Sequence, residues 1–229
     1  MAKATVGLTR QGLKTPRAAA LAGITFALLS IAAQILIRLS IPTDSSDTGA
    51  WLSGQASTVS LALSLVPFAG IAFLWFMGVV RDRLGHREDQ FFSTVFFGSG
   101  ILYLGLTFVA AALAGSLLAD AALQSNKTAG AIMYSFGRLA MYQISNVYAL
   151  RMSGVFMISL GTIWLRTGAM PRWLAFVTYV LAVALLLTVS LSVWFTLIFP
   201  AWVFVISVFI LVGNLSSRSV SAKSGQGPG

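Results

Sequence analysis

Enzymatic chemistry needs acids, bases, nucleophiles or metal ligands at workable spacing, and this chain of 229 residues carries few of them. Its single histidine, His86, stands in a run of charged residues, where a solvated side chain is expected. The acids are Asp44, Asp47, Asp82, Glu88, Asp89 and Asp120, and none interrupts an apolar run. Ion-coupled carriers usually hold a carboxylate at membrane depth, and the pattern offers none. Cysteine is absent, which excludes disulfides, thiolate metal sites and a cysteine nucleophile. Serine hydroxyls are plentiful, but a nucleophilic hydroxyl needs a base beside it. No cluster has metal-ligand spacing, and no glycine-rich loop is placed to cradle a phosphate. Neither enzymatic activity nor a cofactor is therefore expected. The polar residues left to consider are arginines. Arg138 and Arg151 lie in apolar surroundings, and Asp120 is the nearest acid. Arg151 falls five to eight residues inside its span, about 8–12 Å deep at 1.5 Å per residue. It either snorkels to the headgroups or pairs with Asp120, an anionic lipid or a carboxylate of a partner protein.

The elements that hold these residues follow from composition. Hydrophobic residues make up 57% of the chain and charged ones 9%, against about a quarter charged in soluble domains. Several uncharged runs reach the ~20 residues that cross a bilayer's hydrocarbon core. The fold class expected is all-α, a polytopic integral membrane protein. The net charge of +9 is scattered over short loops, which marks topology and headgroup contact. No nucleic-acid partner is expected.

Six spans are read at about 18–38, 60–80, 91–118, 146–165, 173–193 and 198–215. A basic segment, 1–17, precedes them, and a Ser/Gly/Pro-rich tail, 216–229, is expected to be disordered. The first apolar run is longer than a signal peptide's core and closes on Gln34 and Arg38, so it reads as a retained span. Pro67 lies inside the second span, where a kink is tolerated. Residues 120–127 read as a loop. Residues 129–145, with Arg138 in the middle, are expected to form an amphipathic helix on the outer surface before the fourth span. The alternative is one long helix continuous with that span. The uncharged stretch 173–217 is about 68 Å as a helix, twice a bilayer, so it must fold back, with a turn near 193–199 and Pro200 in the following helix's first turn.

With the N-terminus inside, the inner segments hold Lys3, Arg10, Lys14, Arg17, Arg81, Arg83, Arg87, Arg166, Arg172, Arg218 and Lys223, and only Arg38, Lys127, Arg138 and Arg151 fall outside. Basic residues concentrate on the cytoplasmic side, so both termini are expected there, in a bacterial inner membrane. Trp75, Trp164 and Trp173 are expected at the inner interface, and Trp51, Trp194 and Trp202 at the outer. Ser60, Ser64, Asn146 and Ser153 are candidates for hydrogen bonds across helices, and Ala110/Ala114 and Ala111/Gly115 for close helix packing.

The loop at 78–87 has the densest pattern: a glycine, Asp-Arg, then a glycine followed by basic residues. With Gly78, Asp82, Arg83, Gly85 and Arg87 at matching places between spans two and three, it resembles the loop signature of the major facilitator superfamily. The resemblance implies a charge network holding helix ends together during alternating access. It covers about ten residues, and that family needs twelve spans. The stretch 163–174, with 74–84, resembles small uncharacterised bacterial multi-span membrane proteins, which implies the six-span topology and no activity. Locally, Gly168 can cap the fourth span's helix and Pro171 can start the next.

Together these features point to a non-enzymatic accessory or scaffolding subunit of a larger membrane transport complex. Its partners would be the lipid bilayer and other integral membrane subunits. The alternative is a small transporter or channel working as a homo-oligomer.

Overall fold

The computed structural model describes residues 15–41, 54–84, 90–123, 127–168, 170–187 and 193–224. They form α1 (Thr15–Ser40), α2 (Ala56–Leu84), α3 (Gln90–Leu123), α4 (Lys127–Gln143), a π-helical segment (Ile144–Ala149), α5 (Leu150–Thr167), α6 (Arg172–Leu187), a 3₁₀ turn (Val193–Leu197) and α7 (Ile198–Ser224). No strand occurs among the described residues. Five helices are long and apolar enough to cross a membrane, and α6 is a shorter apolar helix. Their outward faces are apolar too, with Leu28, Phe68, Ile71 and Phe176 all exposed. Such a surface suits lipid and not water. This is an all-helical, membrane-embedded protein.

Successive passes alternate in direction, α4 and α5 together making one of them. Gly23 of α1 packs on Phe76 of α2, while Phe26, almost one turn later, packs on Phe73, almost one turn earlier. Gly70 of α2 meets Leu104 and Phe108 of α3, and Gly100 of α3 meets Met77. Phe96 and Gly100 of α3 face Phe156 of α5, and Gly154 and Gly161 of α5 face Ala182 and Thr178 of α6. In lipid such helices associate by close packing and hydrogen bonds rather than by a hydrophobic drive, which is why glycines recur at these crossings. The turn from α5 to α6 is made by Gly168, whose φ of +65° places it in the left-handed region that favours glycine. Pro171 follows, and its carbonyl accepts from the N–H groups of Leu174 and Ala175.

The last helix begins part-way up the bundle. Trp202, one turn into α7, packs on Trp164 with centroids 5.9 Å apart, and its Nε1–H donates to Thr178 Oγ1 at 2.9 Å. Trp164 is three residues from the end of α5 and Thr178 six from the start of α6. Trp202 therefore lies about 5–9 Å from that end of the bundle, and Ile198 about 6 Å further in. Phe199 sits accordingly in the central aromatic layer, with Phe26, Phe73, Tyr103 and Phe156 at 4.6–6.1 Å between centroids. From there α7 runs back beside α1, where Ser207 lies against Gly23. Both described chain ends lie at the same end of the bundle.

Several expectations change. Residues 129–145 and the fourth span form one helical run, Ile132–Thr167, the continuous alternative. The outward side of α4 is apolar rather than polar, with Ile132, Met133, Phe136 and Leu139 exposed, while Tyr134 and Gly137 turn toward Leu117 of α3. Asp120 is not in a loop but in the last turns of α3. Trp202 is 4% exposed, a core residue and not an interface anchor, because α7 starts inside the bundle. Helix α7 continues to Ser224, into the segment read as disordered, since no proline or glycine lies between Ser216 and Gly225.

Candidate functional site

Because α7 begins at the aromatic layer, it does not fill the half of the bundle opposite the chain ends. The space left is a cavity of about 140 Å³. Its floor is Phe26, Tyr103 and Phe199, and small residues of α3, Ala110, Ala111 and Ala114, form one wall. Those alanines were candidates for close helix packing, and their missing bulk instead leaves this space beside the helix. Gly70 and Val66 of α2, and Ala149, Leu150 and Ser153 beyond α4, add further walls. Thr196 of the 3₁₀ turn reaches in where a full-length α7 would have run.

The rim is polar. Arg38 Nη2 donates to Asn146 Oδ1 at 3.0 Å, joining α1 to the π-helical segment across 108 positions of sequence. Asn146 Nδ2 donates in turn to the Tyr142 carbonyl at 3.0 Å. Both ends of the amide are thus fixed by unambiguous partners, a cation and a carbonyl. The second bond has a local cause. A π-helical turn moves backbone bonding from i→i−4 toward i→i−5, so the carbonyl four residues back is open to a side-chain donor. The widened turn brings Ser145, Asn146 and Ala149 to the cavity together. Single π-helical turns recur at functional sites.

Below the rim, Gln34 and Ser30 stand one and two turns from Arg38 on the same face of α1 and line the cavity. Gln34 Oε1 is buried without a hydrogen-bond partner. Thr107 of α3 also lines it, though its hydroxyl donates to the Tyr103 carbonyl at 2.8 Å. Among the described residues of the lining Arg38 is the one that carries charge, and Asp, Glu, His and Cys are absent from them. The cavity can thus attract an anion and solvate a polar group. Its described lining has no acid–base pair.

The residues singled out from sequence fall elsewhere. Arg151 is the second residue after the π-helical segment, yet Leu150 and Ser153 face the cavity and Arg151 does not. Arg138 and Asp120 each take part in a polar or electrostatic interaction, and neither lines the cavity. Gly78 is exposed on α2, with open space where a Cβ would point. Asp82 and Arg83 close the last turn of α2, while Gly85 and Arg87 lie outside the described residues, as does His86. Beside them Arg81 lies over the Phe97 ring, 5.1 Å from its centroid. Of the four candidates for cross-helix hydrogen bonds, Asn146 makes one. Ser64 and Ser153 bond back to carbonyls of their own helices, the common habit of helical serine.

Sequence reading passed over Arg38 because it closes a span, where a basic residue is ordinary. One signal was available: Gln34 and Arg38 are polar residues four apart, on one face at one end of an apolar helix. No family model, curated protein or solved structure matches this chain.

Proposed function

We propose that this protein is a non-enzymatic membrane protein that holds an amphiphilic ligand in the cavity, as the binding step of transport across or along the bilayer. One observation carries the reading: a final helix that begins only at the aromatic layer leaves a cavity with an apolar floor and walls and a polar rim of Arg38, Asn146 and Gln34. Binding cavities are mostly apolar with a few placed polar groups, and this one opens within the bundle. That favours the small-transporter expectation over the accessory-subunit one. The resemblance of 78–87 to the major facilitator loop supports the same side.

The proposed topology is six passes with both termini cytoplasmic, in a bacterial inner membrane. Its support is the alternating helix directions and the excess of Lys and Arg on one side. In this arrangement α6 is about 24 Å long, and the 3₁₀ turn Val193–Leu197 that leads into α7 lies at the depth of the outer leaflet. The cavity then lies in the outer leaflet.

The test is native mass spectrometry of detergent-purified protein offered monoacyl phosphatidylcholine. One molecule should stay bound per chain under collisional activation, and Ala110→Leu, which fills the bore, should abolish its retention. Equal retention by both proteins would place the lipid on the outer surface and refute the reading.

A further inference from the structure

The ligand's chemistry can be narrowed from the cavity itself, an inference that rests on the binding function above. We propose that the cavity takes a single-chain anionic phospholipid, a lysophospholipid, with its phosphate at Arg38 and its acyl chain ending on Phe199.

Charge sets the headgroup. Arg38 brings a planar fork of donors, and Nη2 is engaged by a neutral amide at 3.0 Å. Among the described residues no carboxylate lines the cavity to neutralise it. A guanidinium in apolar surroundings gains most from a phosphate, which accepts two parallel bonds and supplies the missing charge.

Depth sets the chain. Arg38 lies twelve residues beyond Phe26 on α1, and Asn146 ten before Phe156 on the descending helix. Rim and floor are therefore about 15–18 Å apart at 1.5 Å per residue. One leaflet of a bilayer core is about 15 Å, half of ~30 Å. A lipid headgroup held at Arg38 would thus end its chain near the aromatic floor. At about 140 Å³ the cavity has no room for two chains abreast.

Gln34 sets the linker. Its Oε1 is a buried acceptor without a partner, one turn below Arg38 on the chain side. A diacyl phospholipid presents only ester oxygens at that level, which cannot donate. A lysophospholipid has a free glycerol hydroxyl between phosphate and chain. A hydroxyl can satisfy an amide whichever of its ends is presented.

The experiment compares retention of lysophosphatidylglycerol, lysophosphatidylcholine, diacyl phosphatidylglycerol, dodecanoate and inorganic phosphate on the purified full-length protein. Native mass spectrometry reads bound lipid, and thermal shift reads protection. Lysophosphatidylglycerol should bind at least tenfold more tightly than each of the others. Arg38→Gln should remove that preference over lysophosphatidylcholine, and Gln34→Leu should remove the preference over dodecanoate. Arg38→Lys, which keeps the charge, should lose affinity by less than Arg38→Gln, and Arg151→Lys should bind as wild type does. Equal binding of the anionic and zwitterionic lysolipids would overturn the charge assignment while leaving an amphiphile site intact. Equal binding of the diacyl lipid would overturn the single-chain assignment, and full protection by inorganic phosphate would reduce the site to one for a free anion. If Ala110→Leu retains every lipid as wild type does, the binding function itself falls, and this inference with it.

Discussion

The Arg38–Asn146 bond ties the first helix to the π-helical segment, and its removal has a size that can be worked out. In Asn146→Leu the guanidinium loses its acceptor at 3.0 Å and the Tyr142 carbonyl its side-chain donor. Hydrogen bonds to a charged group contribute about 1.5–3 kcal/mol, and neutral side-chain bonds within membranes about 0.6 kcal/mol. The buried leucine regains part of this through apolar contact, leaving a net loss of about 1.5–2.5 kcal/mol. For a chain of this length each kcal/mol moves Tm by about 2–4 °C, so a fall of about 3–10 °C is expected in detergent. Arg38→Gln should cost less, because a glutamine amide can still donate to Asn146 from a shorter reach. The decisive quantity is the coupling from the double-mutant cycle of Arg38→Leu and Asn146→Leu, which isolates the pair. It should be about 1–2 kcal/mol, measured by thermal or chemical denaturation in one detergent. A coupling near zero, with both single variants destabilised, would mean that Arg38 turns to the headgroups and the rim described above does not form.

Reporter fusions at Gly49, His86, Gln124, Gly168 and the C-terminus should read out, in, out, in, in, and a periplasmic C-terminus would sink the six-pass topology. Gly23→Ala should destabilise by about 1–3 kcal/mol through overpacking, since its Cβ would meet Ser207 Oγ and Phe76. Gly78→Ala, with open space at that position, should melt no lower than wild type. Trp202→Phe keeps the ring contacts but loses the bond to Thr178, for about 1 kcal/mol; an unchanged melting temperature would argue that α7 does not begin inside the bundle.

The membrane character and helical class were legible because they are sums over many residues. A run such as 18–37 has no charge and enough length to span, and no neighbour is needed to read it. The polar features were legible only in part. Asn146 was visible as an intramembrane amide, but its partner stands 108 positions away, and pairing at that separation leaves no local mark. Arg151 drew attention because it interrupts an apolar run. Its direction depends on the π-helical turn just before it, which shifts the helical phase and which periodicity at 3.6 residues per turn does not register.

By itself, then, the sequence determined what each segment could not be: not soluble, not disulfide-bonded, and without a histidine, cysteine or acid inside an apolar run. It also placed a turn near 193–199 and a break at Gly168, because proline, glycine and run length act locally. Only the tertiary structure decided that α7 starts at the central aromatic layer. That depends on where Phe199 and Trp202 find partners, Phe199 among Phe26, Phe73, Tyr103 and Phe156, and Trp202 against Trp164 and Thr178. Hydropathy measures how apolar a helix is and not how deep it begins. The cavity exists because of that depth, so the residue at its rim, Arg38, reads in sequence as the end of a span and in space as the charge above an open bore.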